Sequence, residues 1–127
     1  MKIRLPLPPS INRYYVQRRN LTCRRCGGHV LVPPNYLSKD AREYRKQTHR
    51  VLMPHLIQER FCEAELAMLV DWHPVRDIGD VDNRAKPLLD ALEHAGLFEN
   101  DRQVKDLRLR WGHPVSGGAA DIQLWEI

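Results

Sequence analysis

The 127-residue chain has no long apolar run and few cysteines. No segment approaches the roughly 20 apolar residues of a membrane-spanning helix. The opening stretch, Met1 to Pro6, lacks the apolar core and the cleavage pattern of a signal peptide. The 3 cysteines are an odd number and do not indicate a secreted disulfide framework. Together these absences favour a cytoplasmic protein.

Composition and charge narrow the class further. A hydrophobic content of 43% over 127 residues suits one compact domain with a single core. The net charge of +4 is unevenly distributed: residues 13–50 hold ten Lys and Arg against two acids, whereas residues 51–127 hold eight against fourteen. The basic part would bind a polyanion and the acidic part would hold cations. The alternative is that both are ordinary solvated surface.

Apolar periodicity predicts a small α+β domain. Two helices are predicted, one beginning after an N-cap at Ser38 and kinked or divided at Pro54, the other running to about Ala95 and stopped by Gly96. The four predicted strands are Lys2 to Leu7, Glu65 to His73, Leu107 to Trp111 and Ile122 to Ile127. The order β-α-β-α-β-β predicts two layers, with both helices on one face of a mixed four-stranded sheet.

Three details of this fold are expected as well. The last two strands are expected to form a hairpin. Residues 13–37 contain a Gly pair and a Pro pair and are expected to form a long irregular loop. The three tryptophans are expected in the core, and they are Trp72, Trp111 and Trp125.

The most informative motif is Asp80-x-Asp82-Asn83-x-x-Lys86, with Asp101 following a helical stretch. Carboxylates two residues apart point to the same side of an extended segment. Hard oxygen donors of this kind suit Mg²⁺, and a nearby lysine completes the parts of a phosphoryl-transfer site. The alternative is a solvated acidic turn in which Asp82 or Asn83 caps the next helix.

Several fragments, in this order, resemble RusA-type Holliday-junction resolvases. Each is weak alone and the combination is specific. The fragments are Leu5 to Tyr15, Leu37 to Arg45, Asp80 to Lys86, Leu89 to Leu92, Ala95 to Phe98 and Asp101 to Val104. The resemblance treats residues 1–127 as one nuclease domain with an inserted loop at about residues 20–34.

The resemblance implies a homodimeric, Mg²⁺-dependent endonuclease that nicks four-way DNA junctions symmetrically in recombination and repair, with Mn²⁺ able to replace Mg²⁺. Such proteins commonly come from phages or prophages. By this resemblance Asp80, Asp82 and Asp101 are the essential metal-binding carboxylates and Lys86 is the essential lysine. An activated water would attack the phosphodiester and leave a 5′-phosphate and a 3′-hydroxyl. One metal ion or two remain open.

Basic residues predict where DNA would be gripped. The candidates are Arg13, Arg18, Arg19, Arg24, Arg25, Lys39 and Arg76. Arg side chains suit phosphates, and the neighbouring Tyr14 and Tyr15 would stack on unpaired bases. Members of the family often carry a basic run before the first catalytic Asp. Here that run is diluted to Arg76-Asp77-Ile78-Gly79, and Asp77 is interpreted as a bystander.

The inserted loop contains Cys23-x-x-Cys26 on a Gly-Gly turn, followed by His29. This is half of a zinc ribbon or knuckle, since structural zinc takes four ligands. His29 would be a third ligand, and a fourth would come from elsewhere in the chain, such as Cys62 or His49, or from a partner copy. The alternative is a pair of free thiols.

Two functions compete with junction resolution. One is a nuclease on other branched DNA, given the diluted basic run. The other is a non-catalytic, zinc-binding or zinc-free, DNA-binding accessory protein. The presence of all four of Asp80, Asp82, Lys86 and Asp101 argues against a degenerate active site.

Overall fold

The computed structural model describes residues 1–17, 21–30, 35–77 and 79–127. Its helices and strands follow in chain order as β1 (Lys2–Leu5), α1 (Ile11–Tyr14), β2 (Tyr15–Gln17), β3 (Leu21–Thr22), β4 (His29–Val30), β5 (Asn35–Leu37), α2 (Lys39–Leu56), β6 (Leu66–His73), α3 (Ala85–Ala95), β7 (Val104–Trp111) and β8 (Ala119–Glu126). A short 3₁₀ helix, Asp101–Gln103, precedes β7. No helix in the described part of the chain is both long and apolar enough to cross a bilayer.

The principal sheet has four strands in the order β1-β8-β6-β7. Strand β7 runs parallel to β6, whereas β8 is antiparallel to both β1 and β6. The predicted α+β class and mixed four-stranded sheet are therefore confirmed. The predicted hairpin of the last two strands is wrong, because β8 and β7 lie on opposite sides of β6. Six of the eight residues of β6 are buried, as suits a strand in the interior of the sheet.

The core lies between this sheet and the two longer helices. Leu52 of α2 and Leu88 and Leu92 of α3 belong to the same apolar cluster as residues of β1, β6 and β8. Across the sheet, Val70 pairs with Ile122, and both are in that cluster. Burying such side chains is worth roughly 1.5–3 kcal/mol each, so this cluster is the main source of stability.

The tryptophan prediction is only partly correct. Trp72 is fully buried, but Trp111 and Trp125 are 40% and 38% exposed. Trp111 lies on β7, which is an edge strand of the sheet, and Trp125 lies near the end of β8. Both positions lack cover on one side. Alternation along a strand therefore identifies a face but not whether another element covers it.

The helix ends follow local sequence rules. The Ser38 hydroxyl accepts a hydrogen bond from the backbone N–H of Ala41, so Ser38 caps α2 as predicted. Pro54 lies within α2 two residues before its end. Helix α3 ends at Gly96, whose φ of 85° is the left-handed conformation that favours glycine.

The predicted irregular loop at residues 13–37 is wrong in part. Strand β2 pairs antiparallel with β5, and β3 pairs antiparallel with β4 between them. A third α-helix, α1, precedes β2. These short elements also mean that the full order of elements is not the simple β-α-β-α-β-β. The Gly and Pro pairs hid the pairing because each ladder has only two or three residues.

Candidate active site

The acidic motif sits on a turn between β6 and α3. The backbone N–H of Asn83 donates to the Asp80 carbonyl at 3.3 Å, and that of Ala85 donates to the Asp82 carbonyl at 3.1 Å. The expected extended geometry of Asp80 and Asp82 is therefore wrong, because successive tight turns rotate the backbone between them. Both carboxylates are exposed, and neither forms an ion pair within the described residues.

Two hydrogen bonds fasten this turn to the body of the protein. The indole N–H of Trp72, which is fully buried in β6, donates to the Val81 carbonyl at 2.8 Å. The backbone N–H of Ile11 donates to the Asn83 carbonyl at 2.7 Å. The acidic motif is thus bonded to the core on one side and, on the other, to the N-terminal motif, which is the segment Leu5 to Tyr15.

The cap that the alternative interpretation assigned to Asp82 or Asn83 is not found. The residue before α3 is Arg84, and no side-chain hydrogen bond caps this helix. Pro87 occupies the first turn of α3, where a missing N–H costs nothing. Neither Asp82 nor Asn83 therefore caps α3.

Lys86 is the centre of a polar cluster. Its ammonium lies 2.8 Å from a carboxylate oxygen of Asp90 and 3.3 Å from one of Asp101. The Tyr15 hydroxyl donates to the other oxygen of Asp90 at 3.1 Å. The hydrogen bond to Asp90 raises the pKa of Lys86 above its usual range, with Asp101 adding to the effect against partial burial. Lys86 is a persistent cation beside Asp101.

Asp101 is positioned by the 3₁₀ helix that it begins. Its backbone N–H donates to a carboxylate oxygen of Glu93 at 2.9 Å. The Asn100 side chain and the Gln103 side chain form a reciprocal cap around this helix. The Gln103 amide also donates to the carbonyls of Phe61 and Ala64, at 2.8 and 3.0 Å. Asp101 is thereby tied to α3 and to the segment before β6.

The predicted metal-binding carboxylates fit a hard cation in their chemistry, but they are not assembled as a cluster. Within the described residues, no group of three or more His, Cys, Asp or Glu side chains could hold a metal ion. The structure brings Asp101 to Lys86 and leaves Asp80 and Asp82 on the neighbouring turn. The two turn carboxylates are open to solvent and present the oxygen donors that Mg²⁺ and Mn²⁺ prefer.

A pocket of about 550 Å³ lies beside the acidic turn. Asn83 and Arg84 line it on one side, and Arg13 and Tyr44 lie on the walls contributed by α1 and α2. The Arg84 guanidinium donates to the Pro8 carbonyl. Burial lowers the pKa of Arg84, and the neighbouring Arg13 lowers it further. Two guanidinium groups thus lie near the acidic turn, and the pocket that they line also includes Asp40 and Glu43.

The remaining predicted DNA contacts are dispersed. Those that the structure describes are all exposed, and they are Arg13, Arg24, Arg25, Lys39 and Arg76. Arg18 and Arg19 lie outside the described residues. The stacking role predicted for Tyr14 is wrong, since its side chain is fully buried and its hydroxyl accepts a hydrogen bond from Arg45 at 3.0 Å. Tyr15 is 37% exposed, but its hydroxyl is bound to Asp90.

Of the predicted zinc ligands, Cys23 and Cys26 lie on one turn, and no third ligand joins them within the described residues. Cys23 accepts hydrogen bonds from the backbone N–H groups of Cys26 and Arg25 and is hydrogen-bonded to the Cys26 side chain, which lowers the pKa of Cys23. All three cysteines are free thiols. His29 pairs across the ladder with Thr22. Within the described residues, no metal-binding group of three includes His29, Cys62 or His49.

The supporting roles of three residues at this site were missed from the sequence. Asp90, Tyr15 and Glu93 form the supporting contacts of Lys86 and Asp101. Asp90 left a signal, because an acid four residues after a lysine on a helix faces it. Tyr15 and Glu93 left none, since they reach the cluster only through the tertiary fold.

The similarity to known proteins covers nearly the whole chain and not only the acidic motif. A family model described as endodeoxyribonuclease RusA matches residues 6–124. The chain is 33% identical over 128 residues to the crossover junction endodeoxyribonuclease rusA of Enterobacteria phage HK97, covering 97% of this chain and 92% of the relative. It is 32% identical over 130 residues to the protein of the same name from Escherichia coli strain K12, covering 98% and 93%. The similarity includes both the acidic turn and the N-terminal motif.

Proposed function

Because this chain belongs to the endodeoxyribonuclease RusA family, we propose that it is a crossover junction endodeoxyribonuclease. It would nick four-way DNA junctions in a pair of symmetric cuts, in DNA recombination and repair. The residues that we assign to catalysis are Asp80, Asp82, Lys86 and Asp101. The whole chain would act as one nuclease domain, into which the loop at about residues 20–34 is inserted.

One observation carries the assignment of these residues. The Lys86 ammonium lies 3.3 Å from Asp101, although 15 residues separate them, and the turn of Asp80 and Asp82 directly precedes the helix of Lys86. A cation beside exposed carboxylates is the arrangement that phosphodiester hydrolysis needs, because charge must be both neutralised and positioned. A purely structural ion pair would not require two further unpaired acids next to it.

Each side chain has a defined task in this proposal. Asp80, Asp82 and Asp101 would hold Mg²⁺, or Mn²⁺ in its place. When bound, this ion supplies a readily ionised water and neutralises phosphate charge. Lys86 would donate hydrogen bonds to the phosphate oxygens, where negative charge grows during the attack. Asp90 and Tyr15 would keep Lys86 directed toward the phosphate. Asp90 and Tyr15 are therefore positioning residues.

The DNA backbone would be held by the cations around this site. The exposed Arg13 and the partly buried Arg84 line the pocket beside the acidic turn, and we assign them to the phosphates that flank the cut. We assign the outer contacts to Lys39, Arg76, Arg24 and Arg25, with Arg18 and Arg19 as further candidates. Such contacts set affinity and its salt dependence more than the choice of bases.

The symmetry of the substrate supports a homodimer. A four-way junction has approximate two-fold symmetry, and a C2 dimer presents two identical active sites to it. Two sites acting on one junction would produce the paired nicks that resolution needs. A monomer would leave nicked but unresolved junctions.

The first test is cleavage of end-labelled synthetic four-way junctions, beside a splayed flap and a linear duplex of the same sequence, with Mg²⁺ or EDTA. We expect paired, symmetric nicks on the junction alone and only with Mg²⁺. Preferential cutting of the flap would establish the competing branched-DNA nuclease. Tight junction binding without any cutting would establish an accessory protein and overturn the proposed activity.

The second test is Asp82→Asn, with Asp77→Asn as the matched control on the segment before the same turn. Asp82→Asn should lower the cleavage rate by about 100-fold or more, because it removes an oxygen ligand for the cation. Junction affinity should persist or increase, since a negative charge facing phosphate is lost. Cleavage by Asp82→Asn at the control rate would show that the assigned site is wrong.

A further inference from the structure

The two cysteines of the inserted loop are held by the backbone of a tight turn. The turn joins β3 to β4 and is closed by hydrogen bonds from the Cys23 N–H to the Gly28 carbonyl at 2.8 Å and from the Gly27 N–H to the Cys23 carbonyl at 2.9 Å. Gly27 has a φ of 72°, which a residue with a side chain adopts only with strain. This turn therefore has a defined geometry that depends on its glycine.

That geometry reverses the chain between the two cysteines. The backbone of Cys23 is hydrogen-bonded to both Gly27 and Gly28, so Cys26 lies within the closed turn. A Cβ added at Gly28 would lie 3.3 Å from the Cys26 sulfur, so this sulfur folds back against the turn. The turn therefore presents two thiols from one short segment, and thiolates are ligands that Zn²⁺ prefers.

Little else stabilises this small hairpin. Each of its two strands has two residues, and its one apolar cross-strand pair, Leu21 with Val30, is 49% and 44% exposed. An isolated two-stranded hairpin is marginally stable in water. A bound metal would supply the stabilisation that apolar packing does not, as it does in other small metal-binding motifs.

One chain provides only half of the ligands. Residues 18–20, 31–34 and 78, which the structure does not describe, are Arg, Asn, Leu, Val, Pro and Ile by sequence. Every Cys, His, Asp and Glu of the chain is therefore among the described residues, and those residues contain no metal-binding group of three. Tetrahedral zinc takes four ligands and prefers thiolates. A zinc site at this turn would therefore need two ligands from outside the chain.

We propose that one Zn²⁺ joins two copies of this chain, bound by Cys23 and Cys26 of each. The two sulfurs of a turn form one edge of the tetrahedron, and an identical turn supplies the opposite edge. Four thiolates around Zn²⁺ leave a net negative charge, and Arg24 and Arg25, which lie between the cysteines, provide compensating positive charge. The junction of two turns would also bring four guanidinium groups together on one surface.

The test uses the full chain, purified under reducing conditions and loaded with Zn²⁺ alone. Metal analysis after removal of excess ion should give one zinc per two chains. Light scattering should find all bound zinc in species of at least two chains. Replacement by Co²⁺ should give the visible and sulfur charge-transfer absorption of a tetrahedral four-thiolate site.

Three variants make the test specific. Cys26→Ser should abolish stoichiometric zinc binding, whereas Cys62→Ser, which alters the remaining exposed thiol, should leave it unchanged. His29→Asn should also leave it unchanged. Circular dichroism of Cys26→Ser at the wild-type level will establish that the domain remains folded, because the hairpin adds little to the core.

Several results would overturn the inference. Zinc bound to a species of 14.9 kDa, the mass of one chain, would mean a site within one copy. Loss of zinc in His29→Asn would mean the same. Failure to retain zinc, with all three thiols free or with Cys23 and Cys26 in a disulfide, would mean that no such site exists. None of these readouts depends on DNA cleavage, so this inference and the proposed nuclease activity fail separately.

Discussion

At the scale of single residues, Lys86 depends on Asp90 as much as on Asp101. Asp90 is the nearer carboxylate, at 2.8 Å against 3.3 Å. It is also less exposed, since its side chain is 13% exposed against 33% for Asp101. Asp90 in turn accepts a hydrogen bond from Tyr15. A lysine has a long flexible side chain, so two fixed acceptors limit the positions that its ammonium can occupy.

We therefore expect Asp90→Asn to slow junction cleavage by roughly tenfold, with little change in junction affinity. The amide cannot pair with the ammonium as a carboxylate does, so Lys86 would spend more time away from the cut phosphate. Single-turnover rates and binding constants would separate the two effects. Asp90→Glu should restore part of the rate, and Glu99→Gln, which alters an exposed acid nearby, should behave as wild type. An unchanged rate in Asp90→Asn would contradict the positioning role.

Residues of opposite charge on one helix leave a signal in the sequence even where it was missed, whereas contacts between elements leave little. The pairing of Lys86 with Asp90 follows from helical spacing. The burial of Tyr14 does not follow from the sequence, because two adjacent tyrosines are equally consistent with an exposed surface that stacks on bases. Only the packing of α1 against α2 and α3 decides which ring faces the core.

At the scale of elements, the start of α2 links the basic N-terminal segment to the helical layer. The Ser38 hydroxyl accepts from the Ala41 N–H at 3.1 Å and donates to the Arg13 carbonyl at 2.6 Å. The Ser38 N–H donates to the Tyr14 carbonyl at 3.0 Å. One residue thus caps a helix and fixes the segment that carries Arg13 toward the acidic turn.

Ser38→Ala should lower the free energy of unfolding by about 1–2 kcal/mol, because a cap is lost together with a second hydrogen bond. Ser10→Ala is the matched control, since Ser10 precedes α1 without a side-chain cap hydrogen bond. Urea denaturation followed by circular dichroism would measure both. Equal losses in the two variants would show that the Ser38 hydroxyl contributes nothing specific.

A second link joins three strands on the polar face of the sheet. Asp121 of β8 accepts from Arg4 of β1 at 2.6 and 2.7 Å and lies 3.0 Å from the ring of His73 in β6. The hydrogen bond from Arg4 is the largest cause that lowers the pKa of Asp121, and His73 adds to it against partial burial. The Asp121 carboxylate is therefore favoured by folding.

This shift predicts a loss of stability in acid. A carboxyl group with a lowered pKa in the folded state contributes stability above its unfolded value of about 3.9, and that stability is lost as the pH falls through the lowered value. The pair is partly exposed, so the contribution should be below about 1 kcal/mol. Denaturation from about pH 5 down to about pH 2 should show a smaller acid-dependent loss in Asp121→Asn than in wild type.

The control for this measurement is Asp106→Asn, which removes an ion pair with Arg108 within a single strand. It breaks no link between strands and should keep the wild-type acid dependence. Identical pH profiles for wild type and Asp121→Asn would show that the three-strand link does not contribute to stability.

At the scale of the whole molecule, the proposed reaction requires two copies. We expect light scattering to give twice the 14.9 kDa of one chain at assay concentration, both with EDTA and in Cys26→Ser. Junction symmetry is the reason, since each active site would cut one of two equivalent strands. A mass of one chain under both conditions would contradict the dimer. A dimer that required zinc and both cysteines would assign dimerisation to the inserted turns instead.

The sequence by itself determined the family, the α+β class, the N-cap of α2, the glycine at the end of α3 and the residues proposed for catalysis. These depend on spacing and on neighbours in the chain, which a sequence states directly. Only the tertiary structure decided the strand order, the turn at Asp80 and Asp82, and the supporting contacts of Lys86 and Asp101. The physical reason is that these features depend on contacts between elements distant in the chain, as where β6 pairs with β7 at one edge and with β8 at the other. The inserted turn depends on both the sequence and the tertiary structure. The sequence gives the spacing of its two cysteines, and the tertiary structure decides how many further metal ligands lie near them.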